Sequence, residues 1–242
     1  MAGCSAAGQH GGIPSSIRAF IYDFDDTIVE SERINERLFC RLLSRSFGIE
    51  LSQSDLETLY GISWTGVFEW LRVNKGLVPG RAEVWARFME IKKEFLSGQR
   101  LRSAKGLDRM LSLPVPHAVV SGSTRAELRM MMDNIGLHAD MFRFILADED
   151  CPRGKPDPDG FLQALRRLDL PAHEVLIFED SVPGLQAARA AGMPAAFVSE
   201  LASGHGASVA DICFATLEDA WAMVKERVVE TESRGRPPQL RS

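Results

Sequence analysis

Apolar residues fall along the chain in short, nearly continuous runs: Ile17 to Tyr22, His117 to Val120, Phe144 to Ala147, Val175 to Phe178 and Ala195 to Val198. Runs of this length without strict alternation read as strands buried on both faces. The first stops abruptly at Asp23-Phe24-Asp25-Asp26, so a buried strand would deliver charge at its C-terminal tip. Between the later runs the apolar residues follow a helical period, at Thr124 to Ile135, Asp159 to Leu168 and Val182 to Ala191. That alternation predicts an α/β fold, a doubly wound Rossmann-like parallel sheet with helices on both faces.

Between the first and second runs the pattern differs. Ile34, Leu38, Phe39, Leu42, Leu43 and Phe47 recur at helical spacing, with Gly48 as a stop. Three further helices are expected near Ser54 to Tyr60, Trp64 to Lys75 and Arg81 to Ser97, the last with Val84, Trp85, Phe88, Met89, Ile91 and Phe95 on one side. No strand interrupts them. Residues 30–99 are therefore expected to form an all-helical cap inserted into a core made of residues 17–29 and 100–230. Residues 1–16 and 231–242 read as flexible tails.

Composition narrows the function classes without naming one. The chain has 242 residues, 45% hydrophobic and 25% charged, which is ordinary for a soluble globular protein and enough for a sizeable core. A net charge of −5 without a basic block disfavours nucleic acid as a partner. No stretch approaches the roughly 18 to 20 consecutive apolar residues of a membrane span, so no membrane partner is expected. Cys4, Cys40, Cys151 and Cys213 show no CxxC spacing, and the first residues carry no export signal. The cysteines are read as free thiols of a cytoplasmic protein, not as zinc ligands. A monomer or weak dimer is expected.

Polar clusters follow the strand runs: Asp23-x-Asp25-x-Thr27, Ser121-Gly122-Ser123, Lys155 in GKPDPDG, and Glu179-Asp180-Ser181. In a parallel sheet they meet at one edge, where open α/β sheets place ligands. Converging carboxylates repel unless a cation sits between them, and hard oxygen donors with open positions favour Mg²⁺. A lysine and a small-residue loop with free backbone N–H groups add an anion receptor. Together these meet the requirements of phosphoryl transfer.

The motifs DFDDT (Asp23 to Thr27), VVSGS (Val119 to Ser123), GKPDPDGF (Gly154 to Phe161) and FEDSVPGLQAARAAGM (Phe178 to Met193) resemble, in this order, those of the haloacid dehalogenase superfamily. The similarity is to its β-phosphoglucomutase-like branch with a helical cap. The resemblance implies that Asp23 is the nucleophile receiving the phosphoryl group and that Asp25 is general acid and then general base. It implies Mg²⁺ held by Asp23, the backbone carbonyl of Asp25 and Asp180, with Glu179 as a direct or water-mediated ligand. By the same resemblance Ser121 and the Gly122 N–H clamp phosphate, Lys155 neutralises nucleophile and transferring oxygens, and Thr27 supports the phosphate-binding loop. The implied activity is a Mg²⁺-dependent phosphatase acting on a small phosphorylated metabolite, a sugar or sugar-acid phosphate, with the cap tuning substrate choice.

Glycine most often follows the second aspartate of this motif, whereas Asp26 stands here and places an extra carboxylate near the phosphate site. Mutases of the branch tend to carry Val where Thr27 stands, His where Asn35 aligns and Arg where Trp64 follows Gly61-Ile62-Ser63. These differences favour hydrolysis. A sugar-phosphate mutase and a non-catalytic binding module are the alternatives. Taken singly, Ser123 is an ordinary helix N-cap, Lys155 an exposed turn lysine and Glu179-Asp180 a cap for the next helix; their joint order overturns those plainer readings. Trp64, Phe68, Trp70, Trp85 and Phe88 are read as cap core, and Arg72, Lys75, Lys92, Lys93, Arg100 and Arg102 as a solvated face.

Overall fold

The computed structural model describes residues 12–59, 64–202 and 206–229. Strand β1 (Ala19–Tyr22) is buried along its whole length and lies between β2 (His117–Val120) and β4 (Val175–Glu179) in an all-parallel sheet. With β3 (Phe144–Leu146), β5 (Ala195–Val198) and β6 (Ile212–Phe214), the strand order is β3-β2-β1-β4-β5-β6. The winding direction reverses at β1, the switch point where such sheets open a crevice. Tyr22 pairs with Val119 on one side and Phe178 on the other. The residues that follow, Asp23, Val120 and Glu179, are therefore level with one another at the C-terminal edge.

Alternation along β1 divides the core. Phe20 and Tyr22 face one apolar cluster with Met110 of α5 (Leu107–Leu111), Leu128 and Met131 of α6 (Arg125–Ile135), and Leu217 and Ala220 of α9 (Leu217–Val224). Ala19 and Ile21 face the other, with Phe161 and Ala164 of α7 (Asp159–Leu168) and Leu185 and Ala188 of α8 (Val182–Ala190). Burial on both faces explains the unbroken apolar runs in the sequence.

The expected fold class stands, with additions. Strand β6 and helices α5 and α9 were not anticipated. Three residues are too few to declare a period, but α9 carries a readable start: Thr216 accepts a hydrogen bond from the Asp219 N–H at 3.0 Å, a side-chain cap three residues from its partner. The expectations for residues 1–11, for Gly61-Ile62-Ser63 and for the 231–242 tail lie outside the described residues.

Helices α1 (Glu32–Phe47), α2 (Gln53–Leu59), α3 (Trp64–Lys75) and α4 (Arg81–Gly98) form the predicted helical block, with an apolar cluster of its own built on Leu38, Phe39, Leu42, Leu43, Phe68 and Phe88. The Trp64 ring centre lies 5.1 Å from those of Phe39 and Trp85, so these aromatics are core, as expected. Lys92 is a correction. Instead of joining a solvated face it is 1% exposed, and its ammonium lies 3.0 Å from Glu127 of α6. Glu127 also accepts from the N–H and hydroxyl of Thr124, each at 3.1 Å, so both partners of this buried ion pair are satisfied, and the pair pins α4 to α6. Among the described residues no helix is long and apolar enough to cross a membrane.

His117 on β2 stacks against Phe20 and Tyr22. Its Nδ1 lies 3.1 Å from the Tyr22 hydroxyl and its Nε2 3.1 Å from the Leu113 carbonyl, a pairing that suits the neutral Nε2–H tautomer. Burial holds its pKa below the ordinary 6.5, with the Leu113 carbonyl in opposition. Below that pH the unfolded chain binds a proton that the folded chain resists, so stability is full above 6.5 and declines as the pH falls through it. Urea unfolding from about pH 7 to about pH 5 should therefore show a steeper loss of stability for the native chain than for His117→Gln; equal slopes would refute the assignment.

Candidate active site

Asp23 continues the sheet ladder past its last strand residue, its N–H donating to the Phe178 carbonyl at 2.9 Å. Its Oδ1 accepts from the ammonium of Lys155, which also donates to Glu179 Oε1 at 2.5 Å. The Lys155 side chain is 17% exposed, so it is no loose turn lysine. Burial opposes its charge, but Asp23 and Glu179 outweigh that and hold its pKa above the ordinary lysine range.

Glu179 is fully buried. Its second oxygen accepts from the N–H groups of Asp180 and Ser181, both at 3.0 Å, and from the Ser181 hydroxyl at 2.9 Å. A methyl group at Gly184 would overlap this carboxylate, so the glycine in α8 makes room for an acid rather than only for helix-on-sheet packing. Asp180 accepts from the Thr27 hydroxyl at 3.3 Å. Burial, then Glu179, Asp23 and Asp26, drive the Asp180 carboxyl well above its usual range, with Lys155 in opposition.

Asp25 faces hydroxyl groups. Its Oδ1 accepts from Ser31 at 2.6 Å, and its Oδ2 accepts from Ser123 at 2.7 Å and Ser121 at 3.3 Å. Ser121 stands where β2 ends, and among the described residues the N–H of neighbouring Gly122 has no protein acceptor. Glu32 opens α1 at the mouth of this cleft. The residue is exposed, yet burial of its carboxyl, then Asp25, Asp26 and Asp23, push the carboxyl up to about 8, with Lys92 opposing.

The predicted residues Asp23, Asp25, Ser121, Gly122, Lys155, Glu179 and Asp180 thus assemble at one sheet edge. Three assignments change. Thr27 is fully buried with its hydroxyl on Asp180, so it orients an acid and presents nothing to a phosphate. Ser123 is not the N-cap of α6; Thr124 is, with Glu127 completing a capping box, which leaves the Ser123 hydroxyl for Asp25. Asp26 turns its carboxylate to the start of α1, accepting from the N–H groups of Ser31 and Glu32, instead of facing a phosphate. Sequence reasoning also missed Ser31 and Glu32. Their position at the start of a helix directly after the DFDDT motif was the available signal.

The acids fit a hard divalent cation. Asp23, Glu179 and Asp180 place three buried carboxylates against the single ammonium of Lys155, a surplus that a 2+ ion offsets. Asp23 and Asp180 each keep one oxygen without a protein donor. Among the described residues no three His, Cys, Asp or Glu side chains form a cage by themselves. With Glu179 engaged by Lys155 and backbone, and the Asp25 carboxylate by serines, ligation would rest on Asp23 and Asp180, completed by a backbone carbonyl and water, the donors Mg²⁺ accepts.

Comparison with known proteins agrees with this geometry. A sequence profile of the haloacid dehalogenase-like hydrolases matches residues 20–198. The chain belongs to that family. Among curated relatives, Protein CbbY of Rhodobacter capsulatus is 30% identical over 210 residues, covering 81% of this chain and 91% of its own. Fructose-1-phosphate phosphatase YqaB of Escherichia coli (strain K12) is 26% identical over 188 residues, covering 72% and 93% respectively. The crystal structure of CbbY from Rhodobacter sphaeroides in complex with phosphate superposes with a TM-score of 0.75 at 21% identity, covering 84% of this chain and 96% of that one, and so shares the fold.

Within this family member, Lys155→Met should destabilise folding by about 3 kcal/mol, because it leaves Asp23 and Glu179 buried without their cation. Protonation relieves unpaired carboxylates, so the loss should be greater near pH 8 than near pH 5. Urea unfolding at both pH values checks it; a loss that is independent of pH would contradict the charge argument.

Proposed function

We propose that the protein is a Mg²⁺-dependent phosphatase that hydrolyses a phosphate monoester of a small sugar-like metabolite through a phosphorylated Asp23. The observation that carries this reading is the placement of Asp23 against Lys155, with a second acid two residues on that faces the hydroxyls of the Ser121 loop. Curated family relatives named as sugar-phosphate phosphatases support the substrate class.

In this mechanism a carboxylate oxygen of Asp23 attacks phosphorus. Lys155 stays protonated and offsets charge on both the nucleophile and the phosphoryl oxygens, while Ser121 and the Gly122 N–H receive the oxygens pointing toward β2. Asp25 gives its proton to the departing alcohol oxygen. It then takes a proton from the water that attacks phosphorus of the Asp23 acyl phosphate, breaking the bond to the Asp23 oxygen, releasing inorganic phosphate and restoring both acids. Bound Mg²⁺ would supply charge neutralisation and alignment of nucleophile and phosphate. Asp23 and Asp180 would hold it, with Thr27 and Glu179 supporting from behind. Hydrolysis is favoured over internal transfer because Asn35, buried in α1, presents an amide rather than a titratable imidazole.

A panel of phosphorylated sugars and polyols, fructose 1-phosphate included, should release free phosphate in the presence of Mg²⁺ and lose that activity on chelation. Asp23→Asn should lower turnover by about 10³-fold or more, and Asp25→Ala by about 10² to 10⁴-fold. Retained activity in Asp23→Asn would overturn the reading, and an isomerised sugar phosphate in place of free phosphate would replace it with a mutase.

A further inference from the structure

We infer that Asp26 is a positioning residue for Asp25, acting through Ser31; the inference rests on the acid–base role proposed for Asp25. Asp26 occupies the left-handed region at φ 52°, a conformation that favours glycine and that aspartate tolerates better than most residues. It is fully buried. Its Oδ1 accepts from the Ser31 N–H at 2.9 Å and the Glu32 N–H at 3.1 Å.

Ser31 is the N-cap of α1, yet its side chain makes no capping bond. A serine in that place ordinarily spends its hydroxyl on the exposed N–H groups of the first helical turn. Here the Asp26 carboxylate holds the N–H groups of Ser31 and Glu32, and the Ser31 hydroxyl donates to Asp25 Oδ1 at 2.6 Å, with the Val29 carbonyl farther off at 3.4 Å. With one oxygen Asp26 therefore fixes the Ser31 backbone beside the loop that carries Asp25, in the position from which the Ser31 hydroxyl reaches that acid. With glycine at this position that hold on the Ser31 and Glu32 N–H groups is gone, the hydroxyl shifts away, and Asp25 loses one of its three hydroxyl partners. Because α1 carries Leu38, Phe39, Leu42 and Leu43 into the helical block, the same carboxylate also ties that block to the loop bearing Asp23 and Asp25.

The test compares kcat/KM for an alkyl phosphate, whose leaving oxygen needs a proton, with that for p-nitrophenyl phosphate, whose leaving group needs little. Asp26→Gly and Ser31→Ala should each lower kcat/KM on the alkyl ester by about 10-fold while changing the nitrophenyl ester by less than about 3-fold. The double variant should be no worse than Ser31→Ala alone, because the two residues act in series. Asp26→Asn, which keeps an acceptor oxygen, should restore the native ratio. A purely structural role would lower both substrates together, and that result, or an unchanged ratio in a folded Asp26→Gly, overturns the inference. If Asp26→Gly does not fold, an unchanged ratio in Ser31→Ala or a glycine-like loss in folded Asp26→Asn overturns it as well. Asp23→Asn runs alongside: activity there defeats the proposed function itself, whereas an inactive Asp23→Asn with an unchanged ratio in the other variants defeats only the role of Asp26.

Discussion

The ammonium of Lys155, shared between Asp23 and Glu179, sets the terms for everything around it. Two carboxylates cannot be buried side by side at the switch point of a parallel sheet unless a cation lies between them, and this lysine is carried there by the loop beyond β3. Each partner then finds its own support. Asp23 is anchored through the sheet ladder, and Glu179 through the N–H groups that open α8 and the space left by Gly184. Once this pair is in place, Asp180 is the next acid along: burial, then Glu179, Asp23 and Asp26, raise its pKa against the pull of Lys155, so three buried carboxylates share one ammonium. That residual charge is the physical basis for expecting a divalent ion here, independent of family membership.

A second layer of contacts links the site to the helical block at two places. At the first, Asp26 and Ser31 join the loop after β1 to α1. At the second, Lys92 of α4 reaches Glu127, whose other oxygen organises the first turn of α6 directly after Ser121-Gly122-Ser123. Both links end within a few residues of Asp25 and the Ser121 loop. A buried ion pair adds little net stability over an apolar contact, but it holds its elements in one relative position because either charge alone is costly to bury. The block is thus registered against the loop that carries Asp25 on one side and the Ser121 loop on the other.

The sheet was legible because strands buried on both faces leave runs that cannot be confused with solvated segments; β6 and α5 were not, because three and five residues span too little of any period. The four acids, the lysine and the Ser121 loop could be read because each follows the end of a strand. What the sequence hid was the direction each side chain takes. Thr27 and Ser121 look equally suited to binding phosphate, and both are buried; what separates them is the acid each hydroxyl meets, Asp180 for Thr27 and Asp25 for Ser121. Ser123 and Thr124 compete for one N-cap, and the reciprocal bond with Glu127 awards it to threonine. Lys92 resembled its exposed neighbours until Glu127, 35 positions along the chain, was seen to face it.

Charge accounting across the cleft carries one further consequence for binding. Asp25 and Asp26 add to the acids at the sheet edge, while Lys155 and Lys92 are each already committed to a carboxylate. A phosphate monoester brings further negative charge into this surplus. On the proposed reading, attraction would come from a bound cation and from oriented N–H dipoles such as that of Gly122, which cost no counter-charge of their own. Binding of the anion and of the metal would then favour each other, since each lowers the electrostatic penalty that the acids impose on the other.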